Sequence, residues 1–164
     1  TLSSSSAASD VYKRQGHNSG DLVLCRVAEA LNNTARQGDL ICRLGGEEFV
    51  VVAFGSDGAG VLQLAERMRA AIENLEVPDA TRNQIIRCTA TIGLSHSFDN
   101  LQAFDECLQQ ADAALYRGKA AGRNRVEWAP YDSQSWLMLP GQDGHLARLC
   151  IVDDKPRSWD QRQD

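Results

Sequence analysis

Arg43-Leu44-Gly45-Gly46-Glu47-Glu48-Phe49 sets a glycine pair and two carboxylates between two apolar runs. Upstream, Asp39-Leu40-Ile41-Cys42-Arg43-Leu44 alternates loosely; downstream, Phe49-Val50-Val51-Val52-Ala53-Phe54 is a β-branched and aromatic run of strand length. The stretch reads as a β-hairpin with acids at its tip. Glycine tolerates positive φ and carries no side chain, so Gly45 and Gly46 let the chain bend tightly while bare backbone approaches a phosphate. Two carboxylates beside that gap suit a hard cation such as Mg²⁺. Taken alone, the motif reads first as an ordinary hairpin turn with solvated acids.

Outward from the hairpin, the pattern is helical on both sides. Gly16-His17-Asn18-Ser19-Gly20-Asp21 is rich in turn and cap residues and precedes Leu24, Val27, Ala28 and Leu31, which predicts a helix over about 21–36 with Gly38 as its stop. After the hairpin, Asp57-Gly58-Ala59-Gly60 reads as a loop. Val61, Leu64, Ala65, Met68, Ala71, Ile72 and Leu75 then mark a second amphipathic helix. A turn over 78–83 leads to a long strand over 85–94. A third helix over about 101–121 buries Leu101, Phe104, Leu108, Ala111, Ala114 and Leu115, ends at Gly122, and is followed by a short strand, Arg125-Val126-Glu127-Trp128. Helix, hairpin, helix, strand, helix, strand is the order of an α+β sheet covered by helices. One strand ahead of the first helix would complete a β-α-β-β-α-β unit, and that strand is missing from the expected order.

The flanks read differently. Residues 1–15, with Leu2-Ser3-Ser4-Ser5-Ser6-Ala7-Ala8-Ser9, are expected to be a leader outside the domain, non-native or disordered. The domain itself is placed at 16–129, and 130–145 reads as a linker. Within 146–164, Ala147-Arg148-Leu149-Cys150-Ile151-Val152-Asp153-Asp154-Lys155-Pro156 is a buried-type strand ending in paired acids. It resembles the first strand of a response-regulator receiver domain, and equally suits a tail strand with a solvated end.

Composition narrows the function classes. The 164 residues are 43% hydrophobic and 24% charged, enough apolar material for a core, and the net charge of −5 argues against a generic nucleic-acid or anionic-membrane surface. Five scattered cysteines without a C-x-x-C pair suit reduced, buried thiols of a cytoplasmic protein better than a zinc site or a disulfide framework. No apolar run approaches the roughly 18 residues of a membrane span.

Four motifs occur in one order: Gly16-His17-x-x-Gly20-Asp21, Arg36-x-x-Asp39, Arg43-x-Gly45-Gly46-Glu47-Glu48-Phe49, and Ala111-Asp112-x-Ala114-Leu115-Tyr116-x-x-Lys119-x-x-Gly122-Arg123-Asn124. Together they closely resemble the GGDEF domain of diguanylate cyclases in its GGEEF variant. The resemblance implies a palm-like nucleotidyl-cyclase (ferredoxin-like) α+β sheet that joins two GTP into cyclic di-GMP with release of pyrophosphate. It further implies Mg²⁺ or Mn²⁺ and a homodimer, each subunit holding one GTP whose 3′-OH attacks the other's α-phosphate.

Residue by residue, the resemblance makes Glu47 the metal ligand and central catalytic carboxylate and Glu48 its support. Gly45 and Gly46 meet the nucleotide, and Asp21 accepts hydrogen bonds from guanine N1 and N2. Lys119 and Arg123, four apart and so on one helix face, meet the phosphates. Arg36 and Asp39, assisted by Arg67, form an inhibitory product site. Each has a bland counterpart: Asp21 a first-turn acid, Lys119 and Arg123 a solvated basic face, Arg36 a helix cap. The departures lie upstream, where the family pattern D-x-D-x-F-K-x-x-N-D-x-x-G-H places Ser4 at a metal-binding Asp, Ala8 at the Phe, Ser9 at the Lys and Tyr12 at a guanine-binding Asn. Little or no turnover is therefore expected of the chain as written, and a catalytically inactive cyclic di-GMP receptor or a regulatory and dimerisation module is the alternative reading.

Overall fold

Serine, alanine and long-chain residues without a proline let one helix, α1, run over Ser4–Thr34 in the computed structural model of the chain. The structure describes residues 4–79, 82–98, 100, 103–129 and 147–156. The expected start near Asp21 is thus corrected: α1 continues upstream through Gly20 and Gly16 into the stretch expected to be a leader. Each glycine weakens a helix by about 1 kcal/mol relative to alanine but removes no backbone hydrogen bond, so neither stops it. The buried stripe of α1 is Val23, Val27 and Leu31, with Leu24 and Ala28 half-buried beside it. The helix ends short of Gly38, whose φ of +102° turns the chain into the hairpin.

The hairpin is β1, Leu40–Gly45, and β2, Glu48–Phe54, antiparallel with Cys42 opposite Val50 and Gly45 opposite Glu48. The α2 helix, Gly58–Glu73, follows; it opens on Asp57, whose carboxylate caps it by accepting from the Gly60 N–H at 2.7 Å. The single strand expected over 85–94 is divided at Arg87. Its first part, β4 (Gln84–Ile86), pairs with β3 (Val77–Asp79) in a separate two-stranded sheet, and its second is β5, Cys88–Phe98. The last helix, α3, is Phe104–Ala120, followed by β6, Val126–Trp128; Leu101 of the expected helix and the linker 130–145 lie outside the described residues.

The remaining strand is β7, Ala147–Pro156. It lies third in the five-stranded sheet, in the order β1-β2-β7-β5-β6, antiparallel to both neighbours. The helix, hairpin, helix and strand upstream leave one place open at the middle of the sheet, and β7 takes it.

Strand alternation then assigns the faces. Phe49, Val51 and Ala53 of β2, Cys150 and Val152 of β7, and Cys88, Ala90, Ile92 and Leu94 of β5 share one core with α1 and α2. Val50, Phe98, Cys107, Ala111 and Leu115 form a second, smaller core under α3 on the opposite face. Gly93 permits the close approach of that helix: a Cβ there would stand 2.1 Å from the Ala111 carbonyl oxygen and 2.5 Å from the Leu115 nitrogen.

Burial of β7 is open to a chemical test. Cys25 and Cys42 are exposed, whereas Cys88, Cys107 and Cys150 are buried. Thiol labelling of the native chain, mapped by mass spectrometry, is expected to modify Cys25 and Cys42 rapidly and the other three only in denaturant. Rapid labelling of Cys150 in the native protein would remove β7 from the sheet.

Candidate active site

The tip of the hairpin is the pair Gly46-Glu47, flanked by Gly45 and Glu48. Gly45 has φ +149° and Gly46 +53°, conformations that strain any residue with a side chain, which is why the motif needs both glycines. Arg43 holds the turn from within the hairpin, donating from Nε and Nη2 to the Gly46 carbonyl oxygen at 3.0 and 2.6 Å. Glu47 is exposed at the tip. Glu48, alternate to the buried Phe49, points to the α3 face and is half-buried.

On that face the end of α3 brings Lys119 to the turn. Its Nζ lies 3.9 Å from Glu48 Oε1 and forms a salt bridge with Asp153 of β7. Backbone pairing accounts for the meeting: Asp153 is directly opposite Glu48 on one side and Thr91 on the other, so these side chains line up across three strands. Asp153 is 8% exposed. Its acids were visible in the sequence; its place beside Glu48 was not, because register between distant strands leaves no local signature.

The expected partnership of Lys119 and Arg123 on one helix face is corrected. The helix stops at Ala120, and Gly122, at φ +114°, reverses the chain into Arg123 and Asn124, at +60° and +49°. The Arg123 N–H donates to the Gly118 carbonyl at 3.0 Å and the Gly122 N–H to that of Lys119 at 3.4 Å, the paired bonds of a glycine-terminated helix. Arg123 is therefore an exposed loop residue just beyond the helix.

That loop is tied down by a network the sequence reading missed. Asn124 donates to Glu73 Oε1 and accepts from Arg69 Nη1, each at 2.8 Å, and its N–H reaches the Thr91 hydroxyl at 3.1 Å. Arg69 also bridges Glu66 and Glu73, and these hydrogen bonds, that to Glu66 first, raise its guanidinium pKa above the usual value against the opposing effect of burial. The Glu66, Arg69, Glu73 spacing was the available signal.

The other named residues stand apart from the turn. Asp21 is exposed on α1, which packs on the sheet face opposite α3. Arg36 donates from Nη1 to Ser56 Oγ at 3.0 Å, and Asp39 accepts from the backbone N–H of Arg36 at 2.8 Å and of Phe54 at 3.3 Å. Asp39 thus braces the junction between α1 and the hairpin. Arg67 is exposed on α2.

Among the described residues no group of three His, Cys, Asp or Glu side chains forms a ready cation cage. Mg²⁺, however, commonly takes one or two carboxylates and completes its octahedron with water and substrate phosphates. The exposed Glu47 and its neighbour Glu48 supply the one or two carboxylates that such an ion would take. No helix among the described residues is long and apolar enough to cross a membrane.

Comparison with known proteins bears on the same residues. The family "Diguanylate cyclase, GGDEF domain" matches residues 9–125. The diguanylate cyclase DgcM of Escherichia coli K12 is 40% identical over 117 residues, covering 71% of this chain and 26% of that protein, and DgcP of Pseudomonas aeruginosa is 40% identical over 114 residues, 70% and 16%. The chain thus spans about a quarter or less of the length of these relatives. Among solved structures, the GGDEF domain of YfiN (TpbB) from Pseudomonas aeruginosa superposes with a TM-score of 0.64 at 28% identity, over 76% of each chain. The active GGEEF domain of a Vibrio cholerae diguanylate cyclase gives 0.58 at 29%, over 71% of this chain and 72% of that one.

Asn124→Ala removes the two side-chain hydrogen bonds, to Arg69 and Glu73, from a left-handed position that asparagine tolerates better than alanine. It is expected to lower stability by about 1–3 kcal/mol, read as the urea midpoint; an unchanged midpoint would show that the Arg69 network does not hold the loop.

Proposed function

The chain belongs to the GGDEF family of diguanylate cyclase domains, and from that premise we propose that the parent domain condenses two GTP into cyclic di-GMP with release of pyrophosphate, while this chain, with Ser4, Ala8, Ser9 and Tyr12 at the upstream family positions, turns over little or not at all. The observation that supports this most is the convergence of the Gly45-Gly46-Glu47-Glu48 turn with Lys119, 3.9 Å from Glu48, at one end of the sheet. Transfer at phosphorus asks a protein for positioning and charge compensation more than for a nucleophile of its own. A turn of two glycines gives the triphosphate access to backbone, Glu47 and Glu48 hold anionic oxygens at its edge, and Lys119 and Arg123 supply cations. A divalent cation, Mg²⁺ or Mn²⁺, shared between Glu47 and the triphosphate would offset phosphate charge. Asp21 is assigned to guanine, as an acceptor for its N1 and N2 donors.

One such site orients one GTP, and joining two nucleotides needs a second copy facing it, so the active form is assigned as a homodimer. GTP as substrate and five cysteines without a disulfide both suit the cytoplasm. Glu47→Gln replaces an anion by a neutral amide of the same shape. In the parent domain it is expected to lower cyclic di-GMP formation by roughly 10²–10³-fold, the scale of one lost charge-stabilising contact, and chelation by EDTA to stop it; product formed there by Glu47→Gln at the wild-type rate would overturn the role of Glu47.

Arg36 and Asp39 are assigned as the product site, through which cyclic di-GMP feeds back. Ser56 orients the Arg36 guanidinium, which offers a planar fork to phosphate and a flat face to a purine. The carboxylate of Asp39 retains lone pairs beyond its two backbone bonds for a guanine edge. Arg67 lends a further cation. The same site would serve a non-catalytic receptor, and the Glu47 test separates the two readings. Arg36→Ala is expected to cost roughly 1.5–3 kcal/mol of cyclic di-GMP binding, about one to two decades of affinity, with Arg36→Lys also weaker. Calorimetry that finds equal affinities, or no binding by the folded wild type, would return Arg36 to the role of a helix end.

A further inference from the structure

We propose that Asp153, contributed by the C-terminal strand from outside the family-matched residues 9–125, is a positioning residue that sets the Lys119 ammonium beside the Glu47-Glu48 turn. The inference rests on the reading above of Lys119 as a phosphate-binding cation. Alternation along β7 puts Cys150 and Val152 in the core beneath α1 and α2, so Asp153 faces α3. Register puts it between Glu48 and Thr91. Gly118 lets α3 come down at this point, since a Cβ there would lie 2.7 Å from Thr91 Cγ2. Lys119, the next residue, accordingly ends over the Asp153 carboxylate.

The exposures show which partner anchors which. The side chain of Asp153 is 10% exposed, that of Lys119 31% and that of Glu48 41%. The carboxylate is the fixed base, and the ammonium bridges from it toward the more open Glu48. A lysine has a flexible four-carbon stem, and ordering it costs rotamer entropy. With Asp153 beneath it, that cost is met in folding, and the ammonium stands at the turn before a nucleotide arrives. With an amide there, Lys119 loses its charged anchor and samples solvent. Asp153 would thereby act on phosphate binding without touching substrate.

The test is a double-mutant cycle in the full chain, read as GTP affinity with Mn²⁺ present for wild type, Asp153→Asn, Lys119→Met and the double variant. Asp153→Asn is expected to weaken GTP binding roughly tenfold, the lower end for losing a partner that orients a binding group, and to add less than about twofold once Lys119 is methionine. An unchanged affinity in Asp153→Asn, or an equal loss in both backgrounds, overturns the proposal, the second because a structural defect acts whether or not Lys119 is present. Labelling of Cys150 checks that β7 stays seated; if Asp153→Asn releases it, Asp153→Ser replaces it in the cycle. Should the wild type bind no GTP, the reading of the site falls, and the same four proteins in urea still decide the placement: non-additive midpoints uphold the Lys119 and Asp153 pair, additive ones overturn it.

Discussion

Backbone hydrogen bonding by β7 is the constraint on which the rest depends. Its neighbours β2 and β5 are not adjacent to each other, so an empty place between them would leave two rows of N–H and C=O groups unpaired inside the sheet. Buried polar groups without partners cost about 1–3 kcal/mol each, and the seven paired positions between β2 and β7 make that penalty prohibitive. The strand also carries Cys150 and Val152, fully buried between the sheet and the two helices of the larger face. One strand therefore closes the hydrogen-bonding pattern and joins the core.

Because the strand is central, each of its faces reaches a different layer, and this connects sheet closure to chemistry. The apolar face meets α1 and α2; the other delivers Asp153 to α3. The approach of α3 is in turn set by Gly93 and Gly118, where side chains would collide with helix backbone and with Thr91. Small residues at the contact bring helix and sheet close enough for a lysine stem to span Asp153 and Glu48. Larger ones would lift the end of α3 away from the hairpin tip. The loop after α3 is then secured to α2 through Asn124, Arg69 and Glu73.

Most elements were legible along the chain. The alternating runs about Gly45-Gly46 determine a hairpin because two successive positive φ values, +149° and +53°, are reached there with least strain by glycine. The stripes Val61-Leu64-Ala65-Met68-Ile72 and Phe104-Leu108-Ala111-Ala114-Leu115 determine two helices by their spacing, although on the second Cys107 is buried while Phe104 and Leu108 are only half-buried, and Gly122 ends it. The motifs at Asp21, Arg36, Glu47 and Lys119 were readable for the same reason: each is local, and its residues keep their spacing whatever the rest does. The start of α1 was not legible, since Gly16-His17-Asn18-Ser19-Gly20 reads as a cap by composition and helix neighbours override it. The break at Arg87 was likewise invisible in a continuous run of strand-forming residues.

What the sequence by itself determined is thus the set of elements, their order and the family to which the motifs belong. Tertiary structure decided where Ala147–Pro156 goes, because an apolar run with two terminal acids carries no mark of the strands it will pair with, and pairing energy depends on a gap formed by residues far away. It decided that Arg123 leaves the helix while Lys119 remains on it, since a left-handed glycine redirects the chain within one residue. And it decided that Asp153 faces Lys119 and Glu48, because a shift of one residue in register would turn that side chain to the opposite face of the sheet.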